Sequence, residues 1–267
     1  MKKIIAVVLI LIISIFLYGK YFEVNNFKIK EYTINNNKIP KSFENLKIVH
    51  FSDILYVSKN KDKLTNLIEN VNKIKPDIII FSGDLFNNNE KYSTEDFDFL
   101  KSSLNEMEAS LYKYAVIGDN DKKFLDNYKD ILYDSEFNLL DNQNTLLFYK
   151  DITPINIIGL TNIDNVAELL DTDVEYEYSL AIVHEPDNFT KLSEYDIDTI
   201  LSGHSLGGII NIPYYGGLLK KDGAKTYIND YYVLNNTELL ISNGLGYEKY
   251  NFRLLNTPSI NIYRFEK

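Results

Sequence analysis

The chain has 267 residues, and 28 Lys and Arg against 38 Asp and Glu give it a formal net charge of −10. Such an acidic chain lacks the basic surface that sequence-independent nucleic-acid binding needs, so no nucleic-acid partner is expected. The absence of cysteine excludes disulfides, thiolate nucleophiles and cysteine-ligated zinc. An apolar content of 45% is typical of a globular protein with a full core.

The N-terminus has the pattern of a membrane anchor. Lys2 and Lys3 precede an unbroken apolar run over residues 4–18, which ends at Gly19. The run is shorter than the roughly 20 residues that span a bilayer comfortably, so it overlaps with the core of a signal peptide. No small-residue cleavage pattern follows it, which favours an uncleaved signal anchor; a cleaved signal peptide is the alternative.

This pattern predicts two parts, an anchor over residues 1–22 and a folded domain over residues 23–267. The positive-inside rule assigns Lys2 and Lys3 to the cytoplasm and the domain to the other side of the membrane. We therefore expect a protein of the cell membrane, with a cytoplasmic N-terminus, an extracytoplasmic domain and the membrane itself as a partner.

Apolar runs and amphipathic segments alternate along the rest of the chain. In chain order, the pattern predicts strands at residues 27–34 and 46–51, a helix at 61–74, a strand at 77–81, a helix at 96–107, a strand at 112–117, a helix at 122–132, strands at 146–149, 155–158 and 180–183, a helix at 188–193 and a strand at 199–201. From Lys225 onward only strands and turns are predicted. Early alternation followed by a strand-rich end indicates an α/β or layered α+β domain.

Carboxylate or imidazole side chains follow five of these strands. The five stretches are Ser52-Asp53, Ser82-Gly83-Asp84, Gly118-Asp119-Asn120-Asp121, His184-Glu185-Pro186-Asp187 and Ser202-Gly203-His204. Ligands bind at the carboxyl ends of strands in layered α/β folds, and Asp with His is a ligand mixture for Zn, Mn or Fe. A single aspartate after a strand is more often a helix cap or turn former, so the recurrence is what indicates a site. His50 alternates with apolar neighbours inside a strand and is predicted to be a core histidine.

The ordered stretches resemble the calcineurin-like metallophosphoesterase family, particularly its small membrane-anchored bacterial branch. Members of that family read D-x-H, G-D, G-N-H-D, H and G-H-x-H-G-G in order, and the matching stretches here begin at Asp53, Gly83, Gly118, His184 and Gly203. The resemblance covers roughly residues 27–265. It implies a four-layer αββα sandwich with a two-metal site between the sheets that hydrolyses phosphate esters.

Four positions depart from the family pattern. Leu55 and Leu206 replace two histidines, Asn120 replaces a third, and Asp119 stands where the family has asparagine. Leucine has no lone pair, so the resemblance implies that the first metal site, which would keep Asp53, is empty. The second site retains four residues that can coordinate a metal, Asp84, Asp119, His184 and His204.

One divalent ion per chain, Zn, Mn or Fe, is therefore the expected cofactor. Two metal ions stabilise both the attacking and the leaving oxygen, whereas a single ion can provide only part of this stabilisation. Replacement of the histidine at position 120 removes the proton donor to the leaving group, a group typically worth about 10²–10⁴-fold in rate. Asp53, Asn120 and Asp121 are the side chains expected to orient groups for catalysis.

Three hypotheses follow for the function. The first is a tethered, single-metal hydrolase of phosphate monoesters or diesters with a reduced rate. The second is an inactive pseudo-phosphoesterase that serves as a binding module. The third is a tethered structural domain whose strand-end aspartates are caps, which the ordered motifs disfavour.

Overall fold

The computed structural model describes all residues of the chain, 1–267. Its α-helices are α1 (Lys2–Leu17), α2 (Lys61–Ile74), α3 (Thr94–Asn105), α4 (Leu125–Asp134), α5 (Val166–Leu170) and α6 (Phe189–Leu192). Its strands are β1 (Lys28–Asn35), β2 (Lys47–Phe51), β3 (Ile78–Phe81), β4 (Tyr112–Ala115), β5 (Phe137–Leu139), β6 (Gln143–Leu147), β7 (Ile155–Leu160), β8 (Tyr178–Val183), β9 (Thr199–Ser202), β10 (Asn211–Ile212), β11 (Gly216–Gly217), β12 (Tyr231–Leu234), β13 (Thr237–Ile241) and β14 (Ser259–Glu266).

Twelve of these strands form two six-stranded mixed sheets. The first sheet has the order β1-β14-β2-β3-β4-β5, and the second has the order β12-β13-β9-β8-β7-β6. Strands β2, β3, β4 and β5 run parallel, as do β7, β8, β9 and β13. The carboxyl ends of parallel strands meet at one edge of a sheet, so the polar stretches that follow them are gathered there.

The two sheets pack face to face and carry helices on their outer faces. A core of 20 buried apolar residues, among them Ile48, Ile80 and Ile182, fills the space between the sheets. A second core of 24 residues joins the first sheet to α2, α3 and α4, and a third of 11 residues joins the second sheet to α5 and α6. This is the expected α+β fold, a four-layer αββα sandwich.

The periodic segments fold close to their predicted bounds. Helix α2 occupies the predicted residues 61–74, because four apolar residues, Leu64, Leu67, Ile68 and Val71, lie on one buried face. The segment predicted as one helix at 122–132 is a 3₁₀ turn, Asp121–Phe124, followed by α4. The short elements β5, α5 and the β10–β11 pair have too few residues for a periodic signal.

The N-terminal helix is the longest apolar element of the chain. Helix α1 continues through one π-helical turn and one 3₁₀ turn, and the whole run, Lys2–Asn25, spans 24 residues with mean hydropathy 2.4. Only 6% of its most apolar window is buried by the protein. The run is long and apolar enough to cross a membrane, a property that an N-terminal signal sequence shares.

The end of this helix packs against the folded domain. The rings of Phe16 and Phe252 stack with centroids 5.5 Å apart. The buried Glu23 carboxylate accepts hydrogen bonds from the backbone N–H groups of Leu255 at 2.9 Å and Asn256 at 2.7 Å. The helix and the domain are therefore joined by specific contacts. The division of the chain into an anchor that ends at residue 22 and a domain that begins at residue 23 stays a prediction.

Candidate metal centre

The two sheets bring their polar strand ends together from opposite sides. Asp53 and Asp84 follow β2 and β3 of the first sheet, whereas His184 and His204 follow β8 and β9 of the second. The connection is direct, because the backbone N–H of His204 donates a hydrogen bond of 2.9 Å to Asp53 Oδ2. The site therefore lies where the edges of the sheets meet.

Tight backbone turns place these side chains. Asp53, Asp84 and His204 have φ angles of +49°, +64° and +62°, in the left-handed region that residues with a Cβ seldom adopt. Leu55 and Leu206 share this conformation, with φ angles of +45° and +46°. Such strained backbone clusters at functional sites, and both leucines retain it although the conformation is sterically unfavourable for leucine.

Three buried side chains form the centre of the site. Asp84, His184 and His204 each offer one potential ligand atom, and these atoms all lie within 4.8 Å of one another. His184 Nε2 is 3.2 Å from Asp84 Oδ2 and 3.0 Å from His204 Nδ1. Three of the four residues predicted for the second metal site are thus close together.

In each of the two histidines, the ring nitrogen that faces away from the centre forms a hydrogen bond that fixes the orientation of the imidazole. His184 Nδ1 lies 2.7 Å from the carbonyl oxygen of Ser82, and His204 Nε2 lies 2.6 Å from that of Asp222. A carbonyl can only accept, so each of these nitrogens carries a proton and donates it. The remaining nitrogens, His184 Nε2 and His204 Nδ1, face the centre, as in metal sites whose histidines donate to backbone carbonyls.

The donor set fits a divalent ion. Two imidazole nitrogens on one tetrahedral zinc ion are about 3.3 Å apart, because each Zn–N bond is about 2.0–2.1 Å long, and the 3.0 Å between His184 Nε2 and His204 Nδ1 is close to that distance. Burial lowers the pKa of His184, but Asp84 outweighs burial and raises it to about 10. Burial and the charge of His184 lower the pKa of His204. Metal binding at these nitrogens would therefore compete with protonation of the histidine pair.

Asp119, the fourth predicted ligand, lies at the rim. Its Oδ2 is 3.7 Å from His204 Nδ1, and its Oδ1 accepts a hydrogen bond of 2.8 Å from Lys122. The side chain is 36% exposed, unlike the three buried residues of the centre. Burial raises the pKa of Asp119, but Lys122 and His184 outweigh this and hold it below its usual value.

Asn120 and Asp121 surround the Asp84 carboxylate and its loop. Asn120 donates to both oxygens of Asp84, from its backbone N at 2.7 Å and from its Nδ2 at 2.6 Å. The buried Asp121 carboxylate accepts hydrogen bonds from four backbone N–H groups, those of Asp84, Leu85, Phe86 and Gly118. Asp121 thereby holds the turn that presents Asp84.

Asp53, Leu55 and Leu206 stand at the sequence positions that the family pattern assigns to a first metal. The Asp53 side chain is fully buried, and its Oδ1 has no hydrogen-bond partner. Leu55 and Leu206 are each 1% exposed. They line different cavities, of about 30 Å³ for Leu55 and 430 Å³ for Leu206. Neither leucine can replace the imidazole lone pair that the family pattern has at its position.

Sequence patterns missed Lys221 and Glu185. Lys221 forms an ion pair with Glu248, and the Lys221 and Glu248 side chains are only 16% and 31% exposed. Burial and Asp119 raise the pKa of the Glu185 carboxyl beside the centre. Lys221 lies in an irregular loop without hydrophobic periodicity, so the sequence pattern could not predict that its side chain is buried.

Comparison with known proteins shows which family the chain resembles. The sequence profile described as calcineurin-like phosphoesterase matches residues 46–208. The metallophosphoesterase YkuE of Bacillus subtilis is 29% identical over 259 residues, which cover 92% of this chain and 88% of YkuE. A Danio rerio transmembrane protein with a metallophosphoesterase domain is 25% identical over 286 residues, 95% of this chain and 61% of that protein.

A third relative has a named activity. The UDP-2,3-diacylglucosamine pyrophosphatase LpxG of Chlamydia muridarum is 24% identical over 300 residues, 85% of this chain and 86% of LpxG. A solved dimetal phosphatase from Danio rerio has a TM-score of 0.42 and 9% identity over 76% of this chain and 88% of its own. Since the family profile matches more than half of the 267 residues, the chain belongs to the calcineurin-like phosphoesterase family.

Proposed function

We propose that this protein is a membrane-tethered, extracytoplasmic phosphoesterase that hydrolyses phosphate monoesters or diesters with one divalent ion per chain. The observation that carries the proposal is the convergence of Asp84, His184 and His204, whose ligand atoms lie within 4.8 Å of one another. Asp119, at the rim, is the proposed fourth ligand. Carboxylate and imidazole ligands suit Zn, Mn or Fe.

A divalent ion bound at this centre supplies Lewis acidity toward a phosphoryl oxygen and toward an attacking water. The chain's own residues hold the centre in place. Asn120 fixes both oxygens of Asp84, and Asp121 fixes the backbone around Asp84 through four N–H donors. We assign Asp121 a positioning role, whereas Asn120, at the position of the family's proton donor, is assigned a catalytic one.

The chemistry of Asn120 sets the range of substrates. An amide donates a hydrogen bond but has no proton to give to a departing alkoxide. Substrates with good leaving groups, which depart without protonation, are therefore favoured. Asp53 orients the backbone of His204 through its Oδ2, whereas its buried Oδ1 has no hydrogen-bond partner.

Three observations support the tether. The helical run Lys2–Asn25 is apolar and almost wholly exposed, which is favourable in lipid and costly in water. Lys2 and Lys3 precede it and favour a cytoplasmic N-terminus. The Danio rerio protein, which is 25% identical over 95% of this chain, is a transmembrane protein with a metallophosphoesterase domain.

The second candidate is a pseudo-phosphoesterase that binds a ligand without turnover. Three replacements favour it, namely Leu55, Leu206 and Asn120, because each removes an imidazole from the family's site. Retention of Asp84, Asp119, His184 and His204 favours the enzyme, because undirected decay would also remove some of these ligand positions.

Metal content and turnover distinguish the two candidates. The full chain, purified in detergent, is analysed by elemental mass spectrometry and assayed with an aryl phosphodiester on the same sample. One metal per chain with turnover that chelation abolishes is the expected result. One metal without turnover would support the pseudo-phosphoesterase, and a chain that binds no metal at all would overturn the single-metal proposal.

A further inference from the structure

The N-terminal helix continues into the folded domain without a flexible linker. Its helical turns run to Asn25, and strand β1 begins at Lys28. The backbone N–H of Arg253 donates a hydrogen bond of 3.2 Å to the carbonyl of Gly19, and a Cβ on Gly19 would lie only 2.5 Å from the carbonyl oxygen of Arg253. These contacts fix the orientation of the domain relative to the helix. The surface around the end of the helix therefore faces the medium in which the helix ends.

The length of the apolar run brings this surface to the level of a bilayer. Residues 4–18 span about 22 Å of helix at about 1.5 Å per residue, less than the roughly 30 Å of a hydrocarbon core. Extension of the run through Phe22 gives about 28 Å, so a helix that crosses the bilayer has Phe16 and Gly19 within or at the edge of the apolar layer. Phe252, whose ring stacks on that of Phe16 with centroids 5.5 Å apart, then lies at the same depth.

Exposed apolar side chains surround Phe252. Leu218 and Leu219 line a cavity of about 430 Å³ together with Phe252 and Tyr250. The backbone N–H of Leu255 donates to the buried carboxylate at the end of the helix, but the Leu255 side chain itself is exposed. Leu218, Leu219, Tyr250 and Leu255 are between 47% and 61% exposed. These four residues and Phe252 form one apolar surface beside the helix, which is named the anchor-side face here.

Unpaired lysines border the anchor-side face. Lys20, Lys220 and Lys249 form no ion pair, whereas the neighbouring carboxylates of Glu248 and Asp222 are each paired with another lysine. The face is thus locally basic, although the chain as a whole has a net charge of −10. Apolar and aromatic side chains next to lysines are typical of protein surfaces at the level of lipid headgroups, where the phosphates attract the ammonium groups.

We propose that the anchor-side face lies in the interface of the bilayer that α1 crosses, so that the membrane holds the protein both by the helix and by the folded domain. The inference rests on the tether of the proposed function and adds direct contact between the domain and lipid. Insertion removes the exposed leucine side chains from water, which is favourable. The ring of Tyr250 has an apolar body and a polar hydroxyl, which suits the headgroup level.

This contact holds the metal centre near the membrane. Leu206, which lines the same cavity as the anchor-side face, is two residues beyond His204 in the loop that follows β9. The carbonyl of Leu206 accepts hydrogen bonds from the side chains of Arg253 and Asn256. Residues 252–256 therefore contact the end of the helix, contribute to the face and support the loop of the metal centre.

Tryptophan fluorescence tests the contact, because the chain contains no tryptophan of its own. The full chain is reconstituted into phosphatidylcholine vesicles with or without bromine on the acyl chains, since bromine quenches tryptophan that touches lipid. Tyr250→Trp and Leu218→Trp introduce the probe on the anchor-side face, and Leu11→Trp introduces it within α1. The control is Tyr133→Trp, at an exposed position where α4 leads into the amino-terminal end of β5, at the edge of the sheets opposite to the metal centre. Thermal unfolding confirms that each variant is folded, and the two face positions duplicate each other.

Tyr250→Trp, Leu218→Trp and Leu11→Trp should each lose about half or more of their emission in brominated lipid, because interfacial side chains lie about 5–10 Å into the boundary of headgroups and acyl chains. Tyr133→Trp should lose less than about a tenth, because it faces water. Quenching of Leu11→Trp without quenching of either face variant would overturn the contact of the domain and leave the tether intact. Absence of quenching in all variants would overturn the tether and the contact together.

The same spectra distinguish lipid from a protein that covers the face. A blue-shifted emission of Tyr250→Trp that bromine does not quench would mean that a second copy of the chain or another protein surface covers it, and would overturn the contact with lipid. Metal content and turnover are measured in detergent, so the proposed hydrolase activity is tested independently of this contact.

Discussion

His184 and His204 direct one ring nitrogen each at the same point, with Nε2 of the first 3.0 Å from Nδ1 of the second. Their other ring nitrogens donate to the carbonyls of Ser82 and Asp222. The two histidines come from different strands of the second sheet, so this arrangement depends on the register of β8 and β9. Both rings are thereby oriented before any ion binds, which lowers the cost of forming a metal site.

Removal of a ligand from the centre should abolish metal binding. Asp84→Asn and His204→Ala should each reduce the metal content after dialysis to less than about a tenth of that of the wild type. Each substitution removes a proposed direct ligand, and loss of even a supporting contact typically weakens metal binding about 10- to 100-fold. Asp53→Asn is the matched control, since its side-chain oxygen can still accept from His204 N while the carboxylate is lost. Equal metal loss in all three variants would contradict a single site built on Asp84.

Restoration of the two imidazoles should restore a second metal. Leu55→His combined with Leu206→His should raise the metal content from one toward two ions per chain, because imidazole and carboxylate together are ligands for Zn, Mn or Fe. Elemental mass spectrometry after dialysis is the measurement, and Leu55→His alone, which restores a single ligand, is the control. A metal content that stays at one ion in the double variant would contradict the view that the two leucines are what keeps the first site empty.

Asn120→His should raise the turnover of substrates with poor leaving groups. An imidazole can donate a proton to a departing alkoxide, a contribution typically worth about 10²–10⁴-fold, so a gain of at least about tenfold is expected for an alkyl phosphodiester. An aryl phosphodiester should gain little, since its leaving group departs unprotonated. The ratio of kcat values for the two substrates is the readout, with Asn120→Gln as a control; the same ratio in all three proteins would exclude proton donation from this position.

The buried His50 should make stability depend on pH. Its Nε2 is 2.8 Å from Ser82 Oγ and its Nδ1 is 3.2 Å from Tyr263 OH, and burial lowers its pKa from 6.5 to about 3. Because the folded pKa is below the unfolded one, the stability contributed by neutral His50 is present above pH 6.5 and is lost as the pH falls toward 3. At pH 5 the loss is about 2 kcal/mol, since one pKa unit corresponds to about 1.4 kcal/mol.

Thermal unfolding of wild type and His50→Asn at pH 7 and pH 5 measures this contribution. The wild type should lose more stability between the two pH values than the variant does, because all other titrating groups are shared. If both proteins lose stability equally, His50 does not titrate as its burial predicts.

The junction between helix and domain should contribute to stability through Glu23. Its carboxylate accepts from the N–H groups of Leu255 and Asn256, and the side chain is 3% exposed. Glu23→Ala should lower the free energy of unfolding by about 1.5–3 kcal/mol, the range for hydrogen bonds to a charged group. Glu44→Ala, at an exposed position, is the control, and thermal unfolding in detergent is the measurement. Equal effects of the two substitutions would mean that the junction adds nothing.

Local periodicity was sufficient to predict most of the architecture. The apolar face of α2 and the continuous apolar runs of β3 and β8 depend on neighbouring residues alone, so the pattern predicts helix or strand without knowledge of the fold. The same holds for the order of ligand residues after each strand, which predicted Asp84, His184 and His204. Short elements such as α5 and the 3₁₀ turn at Asp121–Phe124 carried no such signal.

Roles that depend on contacts between distant parts of the chain required the tertiary structure. A sequence pattern cannot show that Asp121 accepts hydrogen bonds from the backbone of Asp84, Leu85 and Phe86. Lys221 lies 168 positions beyond Asp53 and has no periodic neighbours. The sequence determines which residues can ligate a metal, because that depends on their side-chain chemistry and on their positions after the strands. The tertiary structure decides which of these side chains are buried together, because that depends on how the two sheets pack.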